Sequence, residues 1–152
     1  MLDQQQPIED ALAGLQQSLI ASLNSAGRFA TGKTAAAIQI ETISPEHTRL
    51  VAPDFFYALE TGRKPTGAGA AKGDPTLFQS IQEWCSAKGI DPKAAWPITE
   101  SIHKNGYPGT PGVISEPLSE DNIEKYFKPA LGDLAGLFAM KVLETLNIPQ
   151  TA

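Results

Sequence analysis

One apolar face near the start of the chain limits the possible folds more than any other feature. Apolar residues recur there at helical spacing, at Ile8, Leu12, Leu15, Leu19 and Leu23. Pro7 suits a first helical position and Gly27 suits a helix end, so the pattern predicts an amphipathic helix over residues 8–26. A helix of this kind needs a partner for its apolar face, which the rest of the chain has to supply.

Two short segments with strand character follow this helix. Residues 38–42 alternate in polarity, residues 44–47 (SPEH) have turn chemistry, and residues 48–52 form a second extended run. The pattern predicts an antiparallel hairpin of two strands. Because a two-stranded hairpin is not stable alone, we expect it to lie against helices or to pair with further strands.

The second half of the chain has mainly helical patterns. Asp74 as a cap and Pro75 as a first residue predict a helix that ends at Lys88-Gly89, with one apolar face made of Leu77, Phe78, Ile81, Trp84 and Cys85. Asp91-Pro92 repeats the start signal and predicts a second helix to residue 104, with Pro97 in its first turn or at a kink.

The last third combines an irregular stretch with a long helix. Residues 107–117 hold three prolines and two glycines and are expected to be irregular, apart from an extended pair at Val113-Ile114. A terminal helix, interrupted or restarted at Pro129, is predicted from Ile123, Phe127, Ala130, Leu134, Phe138 and Val142. The whole order predicts one small α+β domain over residues 1–152, with a flexible loop at about 63–74 and an irregular loop at about 106–118.

Composition excludes several classes of protein. The chain has 152 residues, a net charge of −5 and one cysteine, Cys85, so an internal disulfide and a cysteine-based metal cluster are both excluded. The net negative charge argues against nonspecific binding to nucleic acid. No apolar run is long enough to cross a bilayer, and the polar start of the chain does not resemble a secretory signal, so we expect a protein that stays in a reducing compartment.

A nucleotide-binding pattern occurs at residues 27–34 (GRFATGKT), which match the phosphate-binding loop letter for letter. In such a loop Lys33 would neutralise phosphates and Thr34 would hold magnesium. The mechanism needs a buried strand before the loop and a helix after it. Here a helical pattern precedes Gly27 and a strand pattern follows Thr34, so we interpret the segment as a glycine-rich entry into a strand.

Other catalytic or metal-binding constellations are not apparent in the sequence. His47 and His103 are isolated and are interpreted as surface histidines, and Cys85 lies on an apolar face, where a thiol is usually a small buried hydrophobe. No pattern pairs Glu60 with Glu83 as acid and base. We therefore predict no catalytic residue, no cofactor and no metal.

A DNA-binding interpretation rests on the two helices predicted at residues 75–88 and 92–104, whose short connection resembles a helix-turn-helix. Against it, residues 93–96 (KAAW) at the start of the second helix offer little to base edges, which favour Arg, Asn or Gln. Two packed core helices explain the same pattern.

Several short segments resemble, in their order, the small neck proteins of long-tailed bacteriophages, which act in tail completion or head-tail joining and are often called minor tail proteins. The likeness runs from about residue 8 to 146 and is carried by residues 56–65 (FYALETGRKP), 81–90 (IQEWCSAKGI), 102–106 (IHKNG) and 109–111 (GTP). The chain departs from the family at Gly112-Val113-Ile114, where a bulky apolar pair often follows Thr-Pro.

The resemblance implies a structural protein of the virion, made in the cytoplasm of the host bacterium, that forms a ring of six subunits at the neck or upper tail. Its implied partners are further copies of itself and neighbouring neck, connector, tail-tube or terminator proteins. It implies no membrane. DNA would pass through the lumen without specific binding, and the net negative charge suits a lumen that does not hold phosphates.

In this setting the residues expected to meet a neighbouring subunit or partner are Phe56, Tyr57, Glu60, Arg63, Lys64, Pro65 and Lys72. For Phe56 and Tyr57 the alternative is a place in the core. Gly67, Gly69 and Gly73 belong to a loop expected to order on assembly, the alternative being an ordinary solvated linker. If residues 56–61 are a short helix ended by Gly62, the dipole disfavours the Glu60 carboxylate unless a cation pairs with it. Arg63 is the local candidate for that cation, and a lysine of a neighbouring subunit is the other.

Overall fold

The computed structural model of the chain describes residues 5–27, 32–44 and 47–145, except for the side chains of residues 143 and 144. The predicted α+β class is confirmed, with a leading helix, a two-stranded antiparallel sheet, further helices and a long helix at the C-terminal end. In chain order the elements are α1 (Gln6–Ser25), α2 (Lys33–Ala36), β1 (Gln39–Ser44), β2 (His47–Val51), a 3-10 turn (Asp54–Tyr57), α3 (Ala58–Thr61), α4 (Leu77–Lys88), a second 3-10 turn (Pro92–Ala94), α5 (Ala95–Asn105) and α6 (Glu120–Thr145).

The predicted amphipathic helix is the centre of the fold. Its buried face consists of Ala11, Leu12, Leu15, Leu19 and Leu23. Leu19 and Leu23 form the main core together with Ile38, Phe56 and Val113. Burial of each large apolar side chain in this set contributes about 1.5–3 kcal/mol, so α1 supplies much of the folding free energy.

The hairpin covers one side of α1. Its register pairs Ile40 with Leu50 and Glu41 with Arg49, and an irregularity lies between Thr42 and Ser44. Strand β1 begins one residue and ends two residues later than predicted, and β2 lies one residue earlier. Ile38, which precedes β1, is buried in the core. Residues 45 and 46 of the predicted turn lie outside the described residues.

Helix α6 covers another side of α1 and runs antiparallel to it. Val113, upstream of α6, accepts a 2.8 Å hydrogen bond at its carbonyl from Ser22 Oγ, whereas Tyr126 within α6 lies against Gly14. The chain therefore moves from the C-terminal end of α1 towards its N-terminal end. A Cβ at Gly14 would meet the Tyr126 ring at less than 3.0 Å, so the absence of a side chain at position 14 allows the two helices to approach.

Helix α6 passes through Pro129 without interruption, so the expected break at this residue is wrong. Pro129 is exposed, and a carbonyl that loses its intrahelical partner on that side can bind water. The expected packing face is correct only in part. Ala130 is buried, but Phe138 is 66% exposed and Ile123 is also exposed.

The predicted start of α4 at Asp74-Pro75 is wrong. The cap is Thr76, whose Oγ1 accepts a 3.3 Å hydrogen bond from the Gln79 backbone N–H. The Gln79 side-chain oxygen accepts a 2.8 Å bond from the Thr76 backbone N–H in return. This reciprocal capping box satisfies two backbone amides at the start of the helix, which Asp74, two residues too early, does not. The predicted end at Gly89, with φ +69°, is confirmed.

The predicted start signal of the next helix is confirmed. Asp91 Oδ1 accepts a 2.9 Å hydrogen bond from the Lys93 backbone N–H and caps the 3-10 turn that leads into α5. Pro97 falls in the first turn of α5, where its missing N–H leaves no gap in the helical hydrogen bonding. Helices α4 and α5 form a hairpin around three buried residues, Cys85, Ala95 and Thr99.

Residues 111–118 form consecutive turns, so the extended pair predicted at Val113-Ile114 is wrong. Hydrogen bonds of helical type join the Glu116 N–H to the Gly112 carbonyl (3.0 Å) and the Leu118 N–H to the Ile114 carbonyl (3.2 Å). Val113, which sequence reasoning assigned to an extended pair, packs from this turn into the main core with Leu19 and Leu23 of α1.

Candidate functional site

Two segments that are far apart in sequence meet at one place, which we call the junction and define as residues 57–66 together with residues 103–115. Arg63 and Tyr107 exchange two backbone hydrogen bonds of 2.7 Å each as an isolated antiparallel bridge. The Thr110 N–H donates to the Leu59 carbonyl (2.9 Å), and the Thr66 N–H donates to the His103 carbonyl (2.9 Å). Three of the four segments that carry the phage-protein resemblance contribute residues to this single structure.

Glycines allow the close approach within the junction. Gly62 and Gly106 have φ values of +84° and +74°, a region that strongly favours glycine. A Cβ at Gly62, Gly106 or Gly109 would come within 3.0 Å of backbone atoms on the opposite segment. Because backbone atoms in a bridged pair cannot move aside cheaply, each of these three positions requires glycine on steric grounds alone.

Glu60 holds the junction to the turns that follow it. Its Oε2 accepts hydrogen bonds from the Ile114 N–H (2.8 Å) and the Ser115 N–H (2.7 Å), and its Oε1 accepts one from Ser115 Oγ (2.7 Å). The Ser115 hydroxyl, followed by the Ser115 and Ile114 amides, holds the pKa of this carboxyl below its ordinary value. The carboxylate thus caps a helical turn from a distant part of the chain.

The expected pairing of Glu60 with Arg63 is wrong. The Arg63 guanidinium donates to Thr66 Oγ1 at 3.3 Å, and the Glu60 carboxylate is satisfied by amides and a hydroxyl. The adjacent backbone amides of Ile114 and Ser115 stabilise the negative charge in the last turn of α3, as a cation would. Sequence reasoning missed them because it assigned Val113-Ile114 to a strand.

Phe56 and Tyr57 have opposite environments although they are neighbours. Phe56 is 7% exposed and belongs to the main core, so of its two expected roles, core residue or interface anchor, it has the core one. Tyr57 is 72% exposed, and Phe55 on the other side of Phe56 is exposed as well. The short helical segment therefore anchors itself with one aromatic ring and presents two others to the outside.

The loop of residues 66–73 is exposed throughout and includes Gly67, Gly69, Gly73 and Lys72. Lys64 and Pro65, which lead into it, are exposed too. Its first residue is fixed, since Thr66 Oγ1 lies 2.6 Å from His103 Nδ1 on α5. A cleft of about 590 Å³ separates the loop from α4 and α5. His103, interpreted as a lone surface histidine, is therefore part of the loop's anchor.

The segment that matches a phosphate-binding loop follows a helix, as inferred from sequence, but a short helix and not a strand comes directly after it. Helix α1, not a strand, precedes it, and the four-residue α2 lies between Gly32 and β1. Lys33 Nζ lies 2.6 Å from Glu83 Oε2 in an exposed ion pair that joins α2 to α4. Residues 28–31 lie outside the described residues. The expected direct entry into a strand is modified by the single turn of α2.

Other reactive side chains are dispersed. Cys85 is fully buried, and His47 is exposed at the start of β2. Within residues 5–27, 32–44 and 47–145, no group of three or more His, Cys, Asp or Glu residues is placed to hold a metal ion. No helix in the same ranges is long and apolar enough to span a membrane.

The start of α5 offers few groups suited to direct base reading. Ala95 is fully buried, and Trp96, although 62% exposed, packs its ring edge-on against Phe78 with centroids 6.1 Å apart. The exposed side of α5 also carries Glu100, a negative group. Packing within the hairpin accounts for the pattern that resembled a helix-turn-helix.

One exposed surface escaped sequence reasoning. Along α6 the residues Leu131, Ala135, Phe138 and Val142 share one side, at spacings of 4, 7 and 11 positions, and all four are exposed. We call this set the α6 stripe. The sequence did carry a signal for this surface, since residues 129–140 (PALGDLAGLFAM) contain only one charged residue. A single packing partner such as α1 can cover only one side of so apolar a helix.

Comparison of the chain with protein-family models, with curated proteins and with solved structures found no significant match.

Proposed function

We propose that this chain is a structural virion protein of a tailed bacteriophage, a ring-forming subunit at the head-tail neck or upper tail that carries out no catalysis. One observation carries the proposal. At the start of residues 56–65, which carry part of the family resemblance, a short helical turn presents Tyr57 and the preceding Phe55 to the outside, while Phe56 anchors it in the core. Exposed aromatic residues on a fixed backbone are typical of protein contact surfaces.

The chemistry of the junction supports the same function. A catalytic carboxylate needs a free oxygen directed at a substrate, whereas both oxygens of Glu60 accept hydrogen bonds from within the chain. The other charged side chains of residues 56–65 are the exposed cations Arg63 and Lys64. This part of the molecule is therefore suited to hold a surface in place and to meet an acidic neighbour.

The partners we propose follow from the family resemblance: further copies of the chain in a ring of six, and the neck, connector or tail-tube proteins above and below it. With a net charge of −5, the ring would let DNA pass without binding its phosphates. A ring structure whose lumen is lined mainly by Lys and Arg would contradict this part of the proposal.

The test of the function is a stop codon in the gene, introduced into the phage and examined by electron microscopy in suppressing and non-suppressing hosts. We expect filled heads and separate tails in the non-suppressing host, and joined particles when suppression restores the protein. Joined, infectious particles made without the protein would contradict the proposal.

Two binding assays address the rival functions. Saturable ATP binding that is lost in Lys33→Ala would favour a nucleotide-binding protein, and the exposed Lys33–Glu83 ion pair gives the reason to expect none. Binding to duplex DNA with a steep salt dependence would favour a helix-turn-helix regulator. We expect neither activity.

A further inference from the structure

The structure contains an apolar groove at the end of the molecule where α1 finishes. Ala26 and Gly27 border it, and it has a volume of about 500 Å³. Its walls come from α3, α4 and α5 and are formed chiefly by half-buried apolar side chains, among them Leu59, Leu77, Ile81, Trp84, Ile98 and Ile102. Arg63 is the one charged residue among the described residues that line it.

The α6 stripe lies at the other end of the molecule. Tyr126 is level with Gly14, and two antiparallel helices advance by the same 1.5 Å per residue, so Gln6 at the start of α1 is level with about residue 134. The part of α6 beyond that level extends past the described part of α1. Groove and stripe are therefore separated by about 30 Å, the length of a 20-residue helix.

The stripe has the form of a helix that docks in a groove. Leu131 and Phe138 are 59% and 66% exposed and stand two turns apart, with Ala135 between them and Val142 one turn beyond. Anchors at positions i, i+4, i+7 and i+11 are the pattern by which an amphipathic helix fills an apolar groove. One chain cannot join its own two surfaces over this distance, but two copies can.

Charge is compatible with a second copy as the occupant. One and two turns before Leu131, on the same side of α6, stand Lys128 and Glu124, whose exposed side chains pair with each other at 3.1 Å. An exposed pair of this kind contributes little and is readily exchanged. Seated in a neighbour's groove, α6 would bring this exchangeable carboxylate to a surface whose one charged lining residue among the described residues is Arg63.

The expected contact area explains why such copies would close into a ring. Residues 131–145 form a helical segment about 22 Å long and about 10 Å across, so burying half of its circumference covers about 350 Å². A pair of chains with one such contact buries about 700 Å² in total, less than a stable complex needs. In a closed ring each chain uses its groove and its stripe, and buries about 700 Å² of its own surface.

We infer that the α6 stripe of each chain docks in the apolar groove of the next, in a head-to-tail contact that closes into a ring. This inference rests on the proposed function for the ring, and it adds the two surfaces that make the ring. The contact is heterologous, because a groove meets a stripe and never a second stripe.

Cysteine cross-linking between two separately prepared variants tests the contact. Leu131→Cys on the stripe is mixed with Ile81→Cys in the groove under mild oxidation, in a background where native Cys85 is fully buried. A second pair, Phe138→Cys with Ile98→Cys, decides the matter if one groove variant folds poorly. Ile43→Cys, 55% exposed on β1, is the matched control for each groove variant.

We expect a covalent heterodimer in the stripe–groove mixtures and its loss when Ile43→Cys replaces the groove variant. A Leu131→Cys homodimer as the main product would show a stripe-to-stripe contact and overturn the inference. Equal cross-linking in the control mixture, or none in either pair, would overturn it too. If the heterodimer forms but phage lacking the gene still join heads to tails, the contact stands and the proposed virion function fails.

Discussion

The junction and the outer half of α6 use glycine in opposite ways. At the junction, a Cβ at Gly62, Gly106 or Gly109 would collide with backbone across the bridge. In α6, a Cβ at Gly132 or Gly136 would meet nothing within 4 Å. The first region is complete within one chain: its glycines fit a bridged partner, and the Glu60 carboxylate is satisfied by nearby amides. The second region has fewer neighbours among the described residues, and the side chains of the α6 stripe are exposed.

This difference separates what folds the protein from what the protein does. Substitutions at the junction should change the free energy of unfolding and leave the outer half of α6 as it was. Substitutions along the α6 stripe should change self-association and leave folding as it was. The predictions below begin with the largest expected effect on stability and end with the smallest.

Gly109→Ala should destabilise the fold by about 1–3 kcal/mol, because the new Cβ meets backbone atoms of Glu60 and Gly62 that cannot move aside. Gly67→Ala is the matched control, since a Cβ there meets nothing within 4 Å, and it should stay within about 0.5 kcal/mol of the wild type. Urea unfolding of the three proteins measures both effects. Equal stability of the two variants would show that the junction is not rigid.

Gly14→Ala and Gly136→Ala make the same change in the interior of two helices and should have opposite signs. Alanine at position 136 should stabilise α6 by up to about 1 kcal/mol through helix propensity, because its Cβ is unopposed. At position 14 the Cβ meets the Tyr126 ring, so the loss of α1–α6 packing should exceed the same gain. Thermal unfolding reports the net effect, and amide hydrogen exchange in α6 locates it. Stabilisation by both variants would contradict the described approach of α6 to α1.

Glu60→Gln should lower stability in a way that depends on pH. The folded pKa of Glu60 lies below its ordinary value near 4.5, so the carboxylate's contribution is fully present above that pH and is lost as the pH falls through the lowered folded pKa. The difference in Tm between wild type and variant should therefore be largest near neutrality and shrink in acid. Glu83→Gln, which alters an exposed ion pair, is the control. A Glu60→Gln difference that does not change with pH would argue against the carboxylate cap.

Deletion of residues 67–71 should have the smallest effect on folding. The removed residues are exposed, and the anchor between Thr66 and His103 stays in place. Under the proposed function the variant that lacks residues 67–71 should fold with nearly the wild-type Tm. It should join heads to tails poorly when it is supplied to phage lacking the gene. Full complementation by this deletion variant would show that the loop is not needed in the particle.

The fold was largely predictable because its main elements rest on local signals. The periodicity of Leu12 to Leu23 located α1, and Asp91-Pro92 located the approach to α5. The start of α4 was misplaced because two start signals compete within three residues, and the reciprocal bonds of Thr76 and Gln79 outweigh Asp74-Pro75. Continuity through Pro129 was not predictable, because it depends on which side of α6 faces solvent.

The candidate site was predictable as a segment but not as a geometry. Sequence reasoning selected residues 56–65, and it placed Phe56 and Tyr57 together although one is core and the other is surface. The partners of Glu60 are more than fifty positions away, at Ile114 and Ser115, and no local pattern identifies them. The α6 stripe was likewise hidden, because an apolar helix in a sequence does not show which side its own chain will cover.

The most direct measurement for the central claim is sedimentation velocity across a concentration series for wild type, Phe138→Asp and Ile43→Asp, with circular dichroism to establish folding. We predict a closed oligomer for wild type and Ile43→Asp, and for Phe138→Asp a folded protein whose self-association is weaker by tenfold or more, about 1.4 kcal/mol per contact. A wild-type protein that remains monomeric at every concentration, or a Phe138→Asp variant that assembles as the wild type does, would contradict the account.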